Sequence, residues 1–366
     1  MKLRLDDVPI PEGAEQRARR VAMAAFAERR PSPREHNLWR PAVVVVAVAA
    51  LAGVLASPPG RSVIQSIREA VGVKKTQHEL FSLPAPGRIL VDSSGGPWIV
   101  DANGSRRRLG SYREASWSPY GRFVVAARPN ELVTLDPKGG VHWTLARPEV
   151  RFPRWGGTHT DTRIAYVDRA GLHVVAGDGT GDRLLAPTEQ GPFAWRPGVL
   201  SQLASVSASA VRLQDGDSGR VLWRANRGPN EPVRRIAWSD DGARLLIVSA
   251  HGLRVYDSRG RVVSRDETSG AAANVDATFV GRTHEVAVLR NAGVFLLRTR
   301  LTLFRAGGLR QVVSSPDGHW LLLGWPAADQ WVFVQVQAPH RIRAFSGITR
   351  QFGGGVFPTV SGWIGK

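Results

Sequence analysis

The residue types that carry most enzyme chemistry are sparse in this chain and badly spaced for it. There is no cysteine, which excludes disulfides, thiolate zinc sites, a cysteine nucleophile and a lipid-modified cysteine anchor. Nine histidines are present, and no two stand at HExxH or comparable ligand spacing. His159, His284 and His319 fall in turns of similar outline and read as solvated turn residues. No GxSxG elbow, phosphate loop or kinase signature occurs, and "GDGTGD" at 177–182 is not followed by a helix that could seat a phosphate. The paired acids Asp6-Asp7 and Asp240-Asp241 lie in a polar tail and a turn. No catalytic residue, metal ligand or cofactor is therefore expected.

One stretch suits binding better than catalysis. "HWLLLGWPAADQWVFVQV" at 319–336 sets Trp325 and Trp331 around a proline-containing loop with Asp329 and Gln330, and "RQFGG" at 350–354 adds Arg350, Gln351 and Phe352. Aromatic side chains beside polar groups are the usual centre of a protein contact surface. These seven residues form the candidate partner site; the competing reading is a loop cemented onto its neighbour.

The elements that would position such residues come from a repeat. "ASWSPYGRFVVAA" at 115, "PRWGGTHTDTRIAYV" at 153, "FAWRPGVLSQLASV" at 193, "IAWSDDGARLLIV" at 236, "ATFVGRTHEVAVL" at 277 and "VVSSPDGHWLLLG" at 312 share one outline. With Trp117, Trp155, Trp195, Trp238, Phe279 and Ser314 equivalent, the intervals are 38, 40, 43, 41 and 35 residues. Each unit holds four short strand signals, the mark of propeller blades. Helical repeats are excluded, because the apolar runs span only four to eight residues between Gly, Pro and Asp. In "SPDG", Pro fixes one turn dihedral, Ser or Asp bonds the local backbone and Gly takes the left-handed position. "LDPKGG", "AGDGTG", "DGDSG" and "DSRG" should close a second hairpin in each blade, and the recurring Trp reads as packing between blades.

Residues 87–109 match the later three strands of a blade, and "GVFPTVSGWI" at 355–364 is a lone strand after the last repeat. Pairing the two closes the ring and leaves no free edge. The expected fold is all-β, a seven-bladed propeller over 87–366, with a six-bladed ring as the alternative.

The units "WSPYG" and "WSDDG" resemble those of TolB-like, WD-repeat-related bacterial propellers. That resemblance covers 87–366 and implies a fold without implying an activity. No Trp-Asp dipeptide is present, so the eukaryotic WD signature is unmatched. "LDPKGGVHW" and "LQDGDSGRVLW" are similar to quinoprotein-type and BamB-like units, in two blades only. The whole arrangement is similar to that of membrane proteins of high-GC Gram-positive bacteria.

The N-terminal part is different in kind. Residues 1–40 are polar and Arg-rich, with "EGAEQRARRVAMAAFAERR" placing Val21, Ala22, Ala25 and Phe26 on one helical face. Between Ala42 and Ala56 there is no charged residue, and six Val with two Leu favour insertion of this stretch by roughly 2 to 5 kcal/mol. A transmembrane helix is expected over 41–57, with Trp39 and Arg40 as interfacial anchors. Nine basic residues precede it and four follow within about 20 residues, which puts the N-terminus in the cytoplasm and the propeller outside. Cleavage at "VLAS", 54–57, would instead release a secreted form. Residues 58–86 are expected to hold a juxtamembrane helix, on Val63, Ile64, Ile67 and Val71, and then a linker, "SLPAPG".

The formal charge is +18, carried by 44 Arg and 5 Lys against 31 acids. Such a surface attracts anionic partners, although a GC-rich genome yields the same composition. Interleaved basic and aromatic patches are missing, so no nucleic acid is expected as partner. The sequence thus points to a single-pass membrane protein whose propeller binds a protein or an anionic envelope polymer, as a sensor or scaffold. An exported quinoprotein-like enzyme is one alternative; it requires a ring of Asp, Glu or Asn on the inner strands, which the repeats do not display. An anti-sigma-like regulator acting through the tail is another.

Overall fold

Strand patterning recurs in seven blades, and the result is a closed ring. The computed structural model describes residues 82–187, 191–207, 209–227, 232–268 and 273–365. These hold seven four-stranded antiparallel sheets. The first strands of blades 2 to 7 are Glu114–Trp117, Arg151–Gly157, Phe193–Trp195, Val233–Trp238, Asn274–Phe279 and Gln311–Ser314. Blade 1 takes its first strand, Thr359–Ile364, from the far end of the chain and pairs it with Arg88–Ser93, Gly96–Asp101 and Arg106–Arg108. Each first strand touches the next in cyclic order, so these seven strands surround the axis. The expected seven-bladed ring and its closure are what the structure has.

Burial follows position within the blade. Middle strands such as Arg244–Ser249 and Gln330–Gln335 are almost wholly buried, because neighbouring blades cover both their faces. Outer strands such as Val141–Ala146 and Val262–Glu267 are mostly exposed and polar in alternation.

The first hairpin turn obeys the expected chemistry. Ser118, Ser239 and Ser315 each accept on Oγ the backbone N–H five residues on, from Phe123, Arg244 and Trp320. Gly121, Gly242 and Gly318 donate back to the carbonyls of those serines at φ of 63°, 64° and 71°. In the second hairpin Asp136, Asp178, Asp215 and Asp257 accept backbone N–H groups of their own turns on Oδ1. These turns also seat the outer aromatic of the preceding blade: Trp143 Nε1 donates to the Gly177 carbonyl and Trp223 Nε1 to that of Ser258, both at 3.0 Å.

The recurring Trp packs between blades as expected. Trp117, Trp195, Trp238 and Phe279 are buried; Trp195 Nε1 donates to the Arg154 carbonyl at 2.9 Å and Trp238 Nε1 to that of Ala194 at 3.2 Å. Trp363, opposite Ile89 and buried, is the seventh member of the set and belongs to the closing strand. The stretch expected as a linker, 82–87, forms no helix or strand, and it packs on the ring: Leu83 and Ala85 are buried in the core of blades 7 and 1, and the Leu83 N–H bonds the Ala102 carbonyl. Apolar side chains gain from burial in a connecting segment as elsewhere. The expected cytoplasmic helix, the span at 41–57 with Trp39 and Arg40, and the juxtamembrane helix lie outside the described residues. No helix among the described residues is long and apolar enough to cross a membrane.

Candidate functional site

The inner strands carry polar residues where the alternating pattern offers a side chain to the axis. Three residues before the recurring Trp position stand Glu114, Arg235, Asp276 and Gln311. Each ties its blade to the next. Glu114 Oε2 accepts the Phe152 N–H at 2.9 Å. Arg235 donates through Nε and Nη2 to both oxygens of Asp276, at 2.6 and 2.8 Å, and Asp276 Oδ2 also accepts the Val312 N–H. Gln311 donates to the Val360 carbonyl and accepts its N–H, binding blade 7 to the closing strand. Together with the two Trp bonds and Arg88 Nη2 on the Gly121 carbonyl, hydrogen bonds link every neighbouring pair of blades.

At the axis these links leave a small charged cluster. Arg154, one residue before Trp155, interacts electrostatically with Glu114, Asp92 and Arg235, which places residues from blades 1, 2, 3 and 5 within one another's field. Arg154 is exposed to water, yet desolvation by surrounding protein lowers its pKa. A side chain lining the narrow opening at the centre of the ring has both properties. Its guanidinium makes one bond, from Nη1 to the neighbouring Pro153 carbonyl, and among the described residues no carboxylate reaches ion-pair distance from it. Arg235, by contrast, keeps a raised pKa, because its bidentate pair with Asp276 outweighs desolvation.

Asp92 faces the same space from the second strand of blade 1. Desolvation pushes its carboxyl up to about 7, against the lowering effects of the Ser361 hydroxyl, Arg154 and the Ala115 N–H; Glu114 adds to the rise. Ser361 Oγ donates to Oδ2, and buried Oδ1 has no hydrogen bond of good geometry. The channel thus presents an under-used guanidinium beside a carboxyl that exchanges its proton near neutrality. Such a guanidinium can donate hydrogen bonds to an anion. At the same end of the inner strands, four residues before the Trp position, stand Arg113, Arg151, Arg234 and Arg310; Arg113, Arg234 and Arg310 are exposed. Arg234 also holds the Asn274 carbonyl.

The candidate partner loop is placed differently from the expectation. Trp325, Gln330, Trp331 and Phe352 are buried, Trp331 and Phe352 completely. Trp331 and Phe352 pack ring to ring at 5.0 Å, and Trp98 meets Phe352 edge-on at 5.9 Å. Asp329 caps the short helix Ile348–Gln351, accepting the N–H and hydroxyl of Thr349, and Gln351 accepts Arg106 Nη1 on Oε1. The loop is cement between blades 7 and 1. A contact surface needs exposure, and of the seven residues Arg350 alone is exposed. The three histidines are turn residues: His159 stacks on Tyr120, His284 pairs with Asp241 at 2.9 Å and His319 with Asp317 at 3.3 Å.

Two acids, Glu114 and Asp276, lie on inner strands, with Asp92 on a second strand; each blade holds a different residue at that register, so no letter recurs. The signal was polarity three residues before the Trp, which interrupts an otherwise apolar strand. Asp92 had none, being a strand-end acid next to serines.

A second polar junction joins blades 3 and 4. Asp217 accepts Arg163 Nε at 2.9 Å, Arg183 Nη2 at 2.8 Å and Ser201 Oγ. Burial opposes its ionisation, but these donors bring its pKa down to about 2. Every donor there is spent inside the fold, so the junction is structural.

No family model and no curated protein matches the chain. Solved structures do. The C-terminal WD40 domain of Sif2 is similar over 73% of this chain and 84% of that one, with a TM-score of 0.52 and 14% identity. The chain therefore has the WD40-type seven-bladed propeller fold, despite lacking the Trp-Asp dipeptide.

Proposed function

We propose that this protein is a non-catalytic, membrane-anchored interaction module, with a TolB-like propeller outside the cytoplasmic membrane of a bacterium that binds a protein or an anionic envelope polymer. The anchor and its orientation rest on the apolar stretch at 41–57 and the basic residues before it. The observation that carries the binding role is the axial mouth: Arg113 and Arg310 are exposed there without a side-chain partner among the described residues, around the under-used Arg154. Arg350 adds an exposed cation on the short helix whose Thr349 bonds Asp329 of blade 7, shortly before Gly354, whose carbonyl accepts Ser94 Oγ of blade 1. Uncompensated charges on one face raise encounter rates with anions and discourage cationic partners.

Photo-crosslinking in living cells tests this reading. A photoreactive residue at 310 should yield a crosslinked product that the same residue at 122, in a first-hairpin turn on the opposite face, does not. Equal labelling at both, or none at either, would contradict it.

A further inference from the structure

We propose that the axial channel is a receptor site for a single carboxylate, supplied by an acidic side chain of a protein partner, with Arg154 as the binding group. This rests on the interaction reading above and narrows its partner to an acidic peptide segment.

The chemistry of the neighbours selects the ligand. Arg154 keeps Nε and Nη2 free to donate, since Nη1 alone is bonded and that to its own neighbour's carbonyl. Two parallel N–H donors match the two oxygens of a carboxylate. Asp92 Oδ1 is buried and Oδ2 accepts the Ser361 hydroxyl, so this carboxyl acts on a ligand through its charge and not by contact. A phosphate would bring up to two negative charges beside Glu114 and Asp92, both of which act on Arg154, and only one unpaired cation would face them. Arg235 does not help, because Asp276 already neutralises it at 2.6 Å. A carboxylate brings one charge and a planar pair of acceptors. The exposed Arg113, Arg234 and Arg310 around the mouth then steer an acidic segment toward the axis without entering the site.

Binding of this kind is linked to a proton. The ligand's charge beside Asp92, added to that of Glu114, favours the protonated carboxyl, while Arg154 opposes this and is itself neutralised by the ligand. Arg235 and Asp276 cancel each other. Affinity should be highest below pH 7 and fall about tenfold from pH 6 to pH 8 as Asp92 loses its proton.

The test uses the full-length protein in detergent at 0.15 M salt and a fluorescein-labelled peptide of alternating Glu and Gly, followed by anisotropy, with a Gln-for-Glu peptide as control. Arg154→Gln should weaken binding at least tenfold, and Arg122→Gln, which removes the same charge from the opposite face, should leave it unchanged. Asp92→Asn, which cannot ionise, should bind and show no such pH dependence, a test that stands even where Arg154→Gln fails to fold. Equal affinity of Arg154→Gln and the wild type would overturn the proposal, as would displacement of the peptide by pyrophosphate at lower concentration than by glutarate. Failure of the Glu peptide to bind, with crosslinking at 310 preserved in cells, would sink the carboxylate site and leave the interaction module standing.

Discussion

Asp92 and Asp217 show how one residue type serves opposite ends in the same ring. Asp92 has its pKa raised to about 7, chiefly by desolvation. The folded state therefore holds a proton that the unfolded chain releases near its ordinary value, so the group costs stability progressively as pH rises from about 4 to about 7. Thermal melts of Asp92→Asn against wild type should show the variant more stable at pH 8.5 and the gap closing by pH 5; a constant gap would refute the assigned environment. Asp217 is depressed to about 2 by Arg163, Ser201 and Arg183 acting against burial. Its contribution is present above about pH 4 and lost toward pH 2, so Asp217→Asn should lower the melting temperature at pH 7 and match wild type at pH 2. Neither behaviour is legible in sequence, because both depend on residues brought in from other strands or blades.

At the scale of the element, most of the blade could be read from the chain. The serine and glycine of the first turn and the aspartate of the second announce their hydrogen bonds, and the Trp spacing sets the blade length. What escaped was the partner of each element. Trp363 is the seventh member of the recurring set, hidden because its hairpin turn is replaced by the two ends of the ring. Trp325 and Trp331 looked like surface aromatics, since sequence does not reveal that Phe352 covers Trp331 or that Trp325 packs with Phe304 in the core shared by blades 6 and 7. Trp238 spans two blades, and Trp238→Phe should cost about 1 kcal/mol for the lost bond to Ala194, whereas Trp238→Ala should cost about 3 to 5 kcal/mol for the cavity; urea denaturation separates them. Gly260 at φ 81° lies against Trp223, where an added Cβ would sit 2.7 Å from the ring. Gly198 at φ 70° has open space around it. Gly198→Ala should cost about 1 kcal/mol of backbone strain and Gly260→Ala clearly more, with Trp223 fluorescence shifted only in the latter.

For the whole molecule, closure is the governing fact. Val360 and Trp363 from the last strand share one core with Ile89, Val91 and Val100 from the first blade, so the ring is fastened by residues some 270 positions apart. Deleting 355–366 would bare the edge of Arg88–Ser93 and half of that core, and the product should aggregate or lose cooperative unfolding. The closed ring presents the exposed Arg113 and Arg310 at one axial mouth, and the receptor we propose is useful only where its partner is. The decisive measurement is protease access to a tag placed after Lys366, in intact cells stripped of their wall and in lysed cells. Digestion in intact cells, with the undigested chain in the membrane fraction, is the expected result. Digestion only after lysis would put the propeller in the cytoplasm and contradict an anchored receptor for an envelope partner.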